Sequence, residues 1–251
     1  MKNDIIEDYI LIAKNAALEA GRFLKKSPRK ISKVYLETKR DVKIRADLLS
    51  EQIILDSLRK KSIFSILSEE EGMIEGKDSR FIWIVDPLDG SLNYMRGIPF
   101  SCVSIGLWEG NAPVLGVVYD FNRAELFFGI SGKKSWLNDK EIRASLVSQR
   151  EKAILCTGFP VNAKFSFQNL KSFVQKIQNY RKIRLFGSAA LSLVYVASGR
   201  VDAYIEEDIM FWDVAAGLAI ACGSGCKFDI NRGSRPHSLN VVVSNNGLKL
   251  C

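Results

Sequence analysis

The chain contains one histidine, His237, set between Pro236 and Ser238 in a polar stretch. A single imidazole is too few for a histidine-based zinc centre, and its surroundings do not suggest a phosphohistidine nucleophile. The five cysteines are odd in number and scattered, so no disulfide framework is expected and a reducing, cytoplasmic setting suits them. Cys222 and Cys226 lie four apart without a second pair and read as small buried hydrophobes. The LCTGFP stretch around Cys156 lacks the arginine-bearing loop that a cysteine nucleophile attacking phosphate would need. No apolar run is long enough to span a bilayer. The first eleven residues, MKNDIIEDYIL, carry acids early and lack a small-residue cleavage site, unlike a signal peptide. Walker and zinc-finger spacings are absent, and no Pro/Gly/Ser-rich linker divides the chain.

What is present describes a globular protein. With 251 residues, 47% of them hydrophobic and 25% charged, the chain can bury a sizeable core without staples. Its net charge of +8 favours an anionic partner. The basic residues are spread out, with modest density only in KKSPRK (25–30) and from Lys39 to Arg45. That pattern suits a small phosphorylated metabolite better than a nucleic acid.

Apolar spacing predicts a helix over 3–27, stopped by Pro28, and a second from about Asp47, with Leu48, Ile53, Ile54 and Leu58 on its apolar side. Residues 29–45 between them read as a mobile polar loop or hairpin. FSIL, FIWIV, SCVSIGLW, APVLGVVY and ELFFGI read as strands, punctuated by Gly and Asn/Asp turns, and together predict a mainly antiparallel sheet. From about Ser145 the pattern alternates. AILCTG, KIRLFG and VDAYIEE read as strands, and FSFQNLKSFVQKIQNY, SAALSLVYVASG and WDVAAGLAIACGSG as helices. This is an α/β layer. The expected organisation is one compact unit over 1–251, with subregions of about 1–144 and 145–251.

Three apolar runs end in carboxylates: Glu69–Glu71, Asp86 with Asp89, and Asp213 after Phe211 and Trp212. Taken singly, each has a plain explanation: a solvated strand end, a turn residue, a helix N-cap. Taken together, carboxylates gathered at strand ends repel one another unless cations lie between them, and hard oxygen donors suit magnesium. In IVDPLDGSLNY, Pro87 fixes the backbone between the two aspartates and Gly90 permits a tight turn. The Leu88 carbonyl and the Ser91 hydroxyl can then face the same place. Two magnesium ions so held could bind a phosphate and activate water.

These motifs resemble those of the inositol monophosphatase family, lithium-sensitive, magnesium-dependent phosphomonoesterases. ILSEEEG is similar to the family's Gly-Glu-Glu form, and WIVDPLDGSLNY to its Asp-Pro-x-Asp-Gly-Thr-x-Asn-Phe form. WDVAAG and GSAALSLVYVASGRVDAYIE are also similar to family sequence, so the resemblance runs through nearly the whole chain. It implies a layered α/β/α/β/α sandwich, usually in a homodimer, with a mainly antiparallel N-terminal sheet and a smaller C-terminal α/β layer. It implies that Glu69 and Asp86 bind a first magnesium ion beside the Leu88 carbonyl and Ser91, that Asp86, Asp89 and Asp213 bind a second, and that a third, weaker ion has a place near Glu69. Asp47 and Ser91 would orient and activate the attacking water, with Glu69 assisting. Backbone N–H groups at Gly90 and Ser91 would hold phosphate oxygens. Asp89, the turn Gly187, Ser188 and Ala189, and Glu206 would meet substrate hydroxyls.

The resemblance implies hydrolysis of a small phosphate ester, myo-inositol monophosphate foremost. Fructose-1,6-bisphosphate and 3′-phosphoadenosine-5′-phosphate are alternatives on the same scaffold, as are histidinol phosphate and NADP; some bacterial members act beside the transcription machinery, and the non-enzymatic alternative is an RNA- or protein-binding regulatory role. The sequence departs from the family at several points. Ser68 stands for glycine, Glu71 is an added acid, Ser91 stands for threonine and Leu92 for a small polar residue, Tyr94 for phenylalanine, and Lys43–Ile44 for a Val-Thr pair. Lys39 is a further candidate to reach the site. Arg184 and Arg200 are candidate rim cations for a second phosphate.

Overall fold

The computed structural model describes residues 2–26, 31, 33–37, 42–159 and 165–248. The chain begins with α1 (Lys2–Lys26), a small hairpin of β1 (Val34–Glu37) and β2 (Val42–Ile44), and α2 (Arg45–Lys61). Then come β3 (Phe64–Ser68), β4 (Gly72–Ile74), β5 (Asp78–Asp89), the short α3 (Ser91–Arg96), β6 (Cys102–Glu109), β7 (Ala112–Asp120), β8 (Glu125–Ile130), β9 (Ser135–Leu137) and β10 (Lys140–Ile142). The remainder is β11 (Ile154–Thr157), α4 (Phe167–Ile177), β12 (Lys182–Arg184), α5 (Ala189–Ala197), β13 (Ala203–Met210), α6 (Phe211–Gly223), β14 (Lys227–Arg232) and β15 (Ser238–Ser244).

Among the described residues, β3 to β10 form an eight-stranded sheet in the order β10-β9-β8-β7-β6-β5-β3-β4. All its pairs are antiparallel except β3–β5. That parallel pair brings the carboxyl ends of β3 and β5 to the same edge of the sheet, where Glu69 and Asp86 emerge. A second sheet, β12-β11-β13-β15-β14, is parallel across its first three strands and antiparallel across the rest. Helices α1 and α2 cover one face of the large sheet, α5 and α6 fill the space between the sheets, and α4 lies outside the small one. The architecture is therefore the layered α/β/α/β/α sandwich.

Composition explains the layers. Alternation along β6 and β7 sends Val103, Ile105, Leu107, Leu115, Val117 and Tyr119 into the core under α1 and α2. Helices α5 and α6 are apolar nearly all round, as a helix packed between two sheets must be. The opposite face of the large sheet carries a row of glycines, with Gly116 paired to Gly106 on one side and Gly129 on the other. A methyl group at Gly116 would lie 2.1 Å from the Ala216 carbonyl oxygen. This bare strip lets α6 lie directly on the strands and fixes where its first turn, with Asp213, projects.

The expected helices and strands are all found, with ends shifted by a few residues. The expected loop over 29–45 contains the β1–β2 hairpin; residues 38–41, including Lys39, lie outside the described residues. Of the additional strands, β4, β9 and β10 are short, β14 is strongly polar, and β15 mixes polar and small apolar residues. No described helix is long and apolar enough to cross a membrane.

Candidate active site

Glu69, Asp86, Asp89, Glu206 and Asp213 line one cleft of about 450 Å³, at the shared end of β3, β5, α3, α5 and α6. Each arrives there by a local device. After β3, the buried Glu51 of α2 accepts the Ser68 hydroxyl, the Glu70 N–H (3.1 Å) and the Glu71 N–H (3.2 Å). This clamp holds the turn so that Glu69 faces the cleft, with 23% of its side chain exposed there. Ser68 is thus a donor to Glu51, which accounts for its departure from glycine. Glu71 faces solvent and pairs with Arg59.

At the end of β5, Asp86 Oδ1 accepts the Leu88 N–H at 2.9 Å, and Ser50 on α2 donates to the Pro87 carbonyl at 2.7 Å. Gly90 has φ +85°, and a Cβ there would lie 2.8 Å from the Phe100 carbonyl oxygen, so glycine alone is comfortable. The turn aims the Ser91 hydroxyl at two acceptors, Asp47 Oδ1 (2.7 Å) and the Leu88 carbonyl (2.9 Å). Its one hydrogen can serve either. Asp47 Oδ2 meanwhile accepts the Ile44 N–H at 2.6 Å. Burial outweighs these bonds and raises the Asp47 pKa to about 7.

Asp89 lies against the first turn of α5. Its Oδ2 accepts the Ser188 hydroxyl at 2.5 Å and the Ala190 N–H at 2.8 Å, a carboxylate at a helix N-terminus. Ser188 also caps α5 by accepting the Leu191 N–H, so much of its bonding goes to positioning. Asn93 ties the opposite wall to this turn by donating to the Phe100 and Phe186 carbonyls, each at 2.8 Å. Asp213 accepts the Met210 N–H at 3.2 Å. The N-cap of α6 is thus Met210 and not Asp213, which stands three residues on, bonds back to the cap N–H and also lines the cleft. Glu206 is buried and accepts the Tyr204 hydroxyl at 2.8 Å; a Cβ at Gly158 would lie 2.5 Å from its carboxylate, so glycine there makes room for it. Its neighbour Glu207 points outward and pairs with Lys176.

The electrostatics are those of an acid-rich recess. Burial first, then repulsion, raises the pKa of Glu69 (by Asp213), of Asp86 (by Glu69 and Asp89) and of Asp213 (by Asp89 and Glu206) well above the usual carboxylate range. Burial likewise raises Asp89 to about 6 and Glu206 to about 7. Such a set is comfortable only when protons or cations neutralise it. Among the described residues, no three His, Cys, Asp or Glu side chains close into a ready coordination cage. The fit to a divalent metal lies instead in the donor chemistry: several buried carboxylates and a carbonyl facing one space, all hard oxygen donors.

The inositol monophosphatase family model matches residues 6–249. The chain belongs to that family. It is 38% identical over 245 residues to the Nus factor SuhB of Haemophilus influenzae, covering 93% of this chain and 90% of that protein. It is 38% identical over 218 residues to an inositol-1-monophosphatase of Caulobacter vibrioides, covering 84% and 85%. The crystal structure of the extragenic suppressor protein suhB from Bartonella henselae superposes with a TM-score of 0.86 at 33% identity, over 95% of this chain and 94% of that one. Membership of the inositol monophosphatase family indicates a metal-dependent hydrolase of the phosphomonoesterase type acting on a small phosphorylated substrate, and family members use divalent metal ions.

Two contributors escaped the sequence reading. Glu51 shares the buried face of α2 with Asp47, Ile54, Leu55 and Leu58; an acid recurring at the spacing of the apolar stripe was the available signal. Arg235, from the turn between β14 and β15, lines the cleft, and no local pattern marks it. The expected rim cations are not among the cleft-lining residues: Arg200 is bound to Glu125 by two contacts of 2.6 Å, and Arg184 is exposed on β12 at the sheet edge.

Proposed function

We propose that this protein hydrolyses a phosphate monoester of a small polyol, myo-inositol monophosphate foremost, using two magnesium ions held by Glu69, Asp86, the Leu88 carbonyl, Asp89 and Asp213. The observation that carries this reading is the convergence of those four carboxylates on one cleft with Ser91, whose hydroxyl reaches the buried Asp47 behind it. Magnesium bound there would supply Lewis acidity toward phosphate and a lowered water pKa. The chain supplies the rest. The N–H groups of Gly90 and Ser91 face phosphate oxygens. Ser91 and Asp47, with Glu69 assisting, orient the attacking water and take up its proton; water adds at phosphorus as the ester oxygen leaves and is protonated to the free alcohol. Asp89, the 187–189 turn and Glu206 accept hydroxyl hydrogens of the leaving alcohol.

A second reading concerns the alcohol. Arg235 places a guanidinium at the cleft, fixed by its bonds to the Asp208 carboxylate (3.3 Å) and carbonyl (2.7 Å), which favours an alcohol bearing a second anionic group. The homodimer that the family resemblance implies is proposed as well. The same degree of identity to a Nus factor and to an inositol-1-monophosphatase also keeps a regulatory role beside catalysis in view.

Phosphate release from myo-inositol 1-phosphate, fructose-1,6-bisphosphate, 3′-phosphoadenosine-5′-phosphate, histidinol phosphate and NADP tests the assignment. The inositol ester should be turned over best. A preference for the esters with a second anionic group would replace the first reading by the second.

A further inference from the structure

The β1–β2 hairpin carries a cation to the acidic cleft. Lys43 Nζ lies 2.9 Å from Glu70 Oε1 and 3.8 Å from Glu69 Oε1, with only 21% of its side chain exposed. Glu70 itself is 5% exposed, and its other oxygen accepts the Tyr35 hydroxyl at 2.6 Å from β1. The hairpin thus hydrogen-bonds Glu70 Oε2, while the buried Oε1 makes no hydrogen bond and faces the Lys43 ammonium as an ion pair. The placement of Lys43 is also fixed from its other side. The next residue, Ile44, donates its N–H to Asp47, and the turn bearing Glu69 and Glu70 is held by Glu51. Among the described residues, the basic ones lining the cleft are Lys43 and Arg235, and Arg235 is bonded to Asp208. Lys43 is thus the cation placed to act on Glu69.

We propose that the Lys43 ammonium is a built-in cation which takes the place at Glu69 that a third magnesium ion would otherwise occupy, so that this chain works with two. The inference rests on the metal-dependent reading given above. An ammonium is a compact point charge with three donors, and next to Glu69 it lowers the attraction of that carboxylate for a further divalent ion. It also stands where a Val-Thr pair would leave the space without charge. With its stem anchored on the backbone that positions Asp47, the ammonium is held in register with the site rather than drawn from solution.

The test is the number of ions bound, measured by equilibrium dialysis with magnesium and with manganese, on the unaltered protein and on Lys43→Val and Lys43→Arg, with melting curves alongside. Two ions should bind the unaltered protein and Lys43→Arg, and Lys43→Val should bind a third at millimolar concentration. Three ions on the unaltered protein, or equal stoichiometry in all three proteins, would overturn the inference. If Lys43→Val does not fold, Lys43→Gln replaces it with the same expectation. Failure of the unaltered protein to bind any ion would instead count against the metal-dependent reading itself, and is distinguishable on that ground.

Discussion

At the scale of single residues, the cleft depends on side chains that serve two purposes. Ser91 links Asp47 to the Leu88 carbonyl, so Ser91→Ala removes the hydroxyl while leaving the backbone turn at Gly90 in place. A fall in kcat of roughly 10²–10⁴-fold is expected, as for loss of a proton-transfer partner, with KM little changed; an unaltered kcat in steady-state assays would remove Ser91 from the chemistry. Titration gives a second expectation. Asp47 and Glu206 are raised to about 7 from ordinary values of 3.8 and 4.5. The folded protein therefore holds more protons than the unfolded chain between about pH 4 and 7, and stability falls as pH rises through that window. The same sign holds for Glu69, Asp86 and Asp213. A ligand that binds only the folded state raises stability by mass action. Melting curves in chelator should thus fall from pH 5 to 7, and excess magnesium should flatten the fall. A melting temperature indifferent to magnesium at pH 7 would contradict it. Asp208 has the opposite sign: burial alone would raise it, but hydrogen bonds from Ser238 and Ser234 hold it at about 2.

At the scale of elements, the site is a product of where α6 can lie. The glycine strip of Gly106, Gly116 and Gly129 lets that helix contact bare strands, and its first residues carry Asp213. Gly116→Ala puts a methyl group into the Ala216 carbonyl. Overpacking of this kind costs about 1–3 kcal/mol, and the displaced helix takes Asp213 with it. A lower urea midpoint together with weakened magnesium binding is expected; a lower midpoint with metal binding intact would show that α6 adjusts without moving the site. The elements also show what the sequence made legible. Long strands with clear alternation, such as β6 and β7, and the all-apolar helices α5 and α6 could be read directly. The strands β14 and β15 could not, because their sequence, KFDINR…SLNVVVS, mixes polar residues and small apolar ones around a turn. The parallel pairing of β3 with β5 was equally hidden, since alternation reports which face is buried and not which way a neighbour runs. At the site, the motif-borne acids were legible because each follows an apolar run. Glu51 was not, because a buried acid on a helix announces itself only by spacing, and Arg235 was not, because it is brought in by a turn distant in sequence from every motif.

At the scale of the molecule, a net charge of +8 surrounds a cleft lined by carboxylates. The surface can draw in an anionic ester, while the cleft itself needs cations before it can accept one. Light scattering should give twice the 28.1 kDa mass of the chain if the proposed homodimer forms; a monomer at micromolar concentration would remove that part of the proposal. The central claim is that the acidic cleft is a magnesium-dependent phosphatase centre. The measurement that tests it most directly is phosphate release from myo-inositol 1-phosphate by the unaltered protein and by Asp89→Asn, each with magnesium and with chelator, after circular dichroism has shown both to be folded. Turnover is expected only for the unaltered protein with magnesium. Equal turnover by Asp89→Asn, or turnover undiminished by chelator, would contradict that claim.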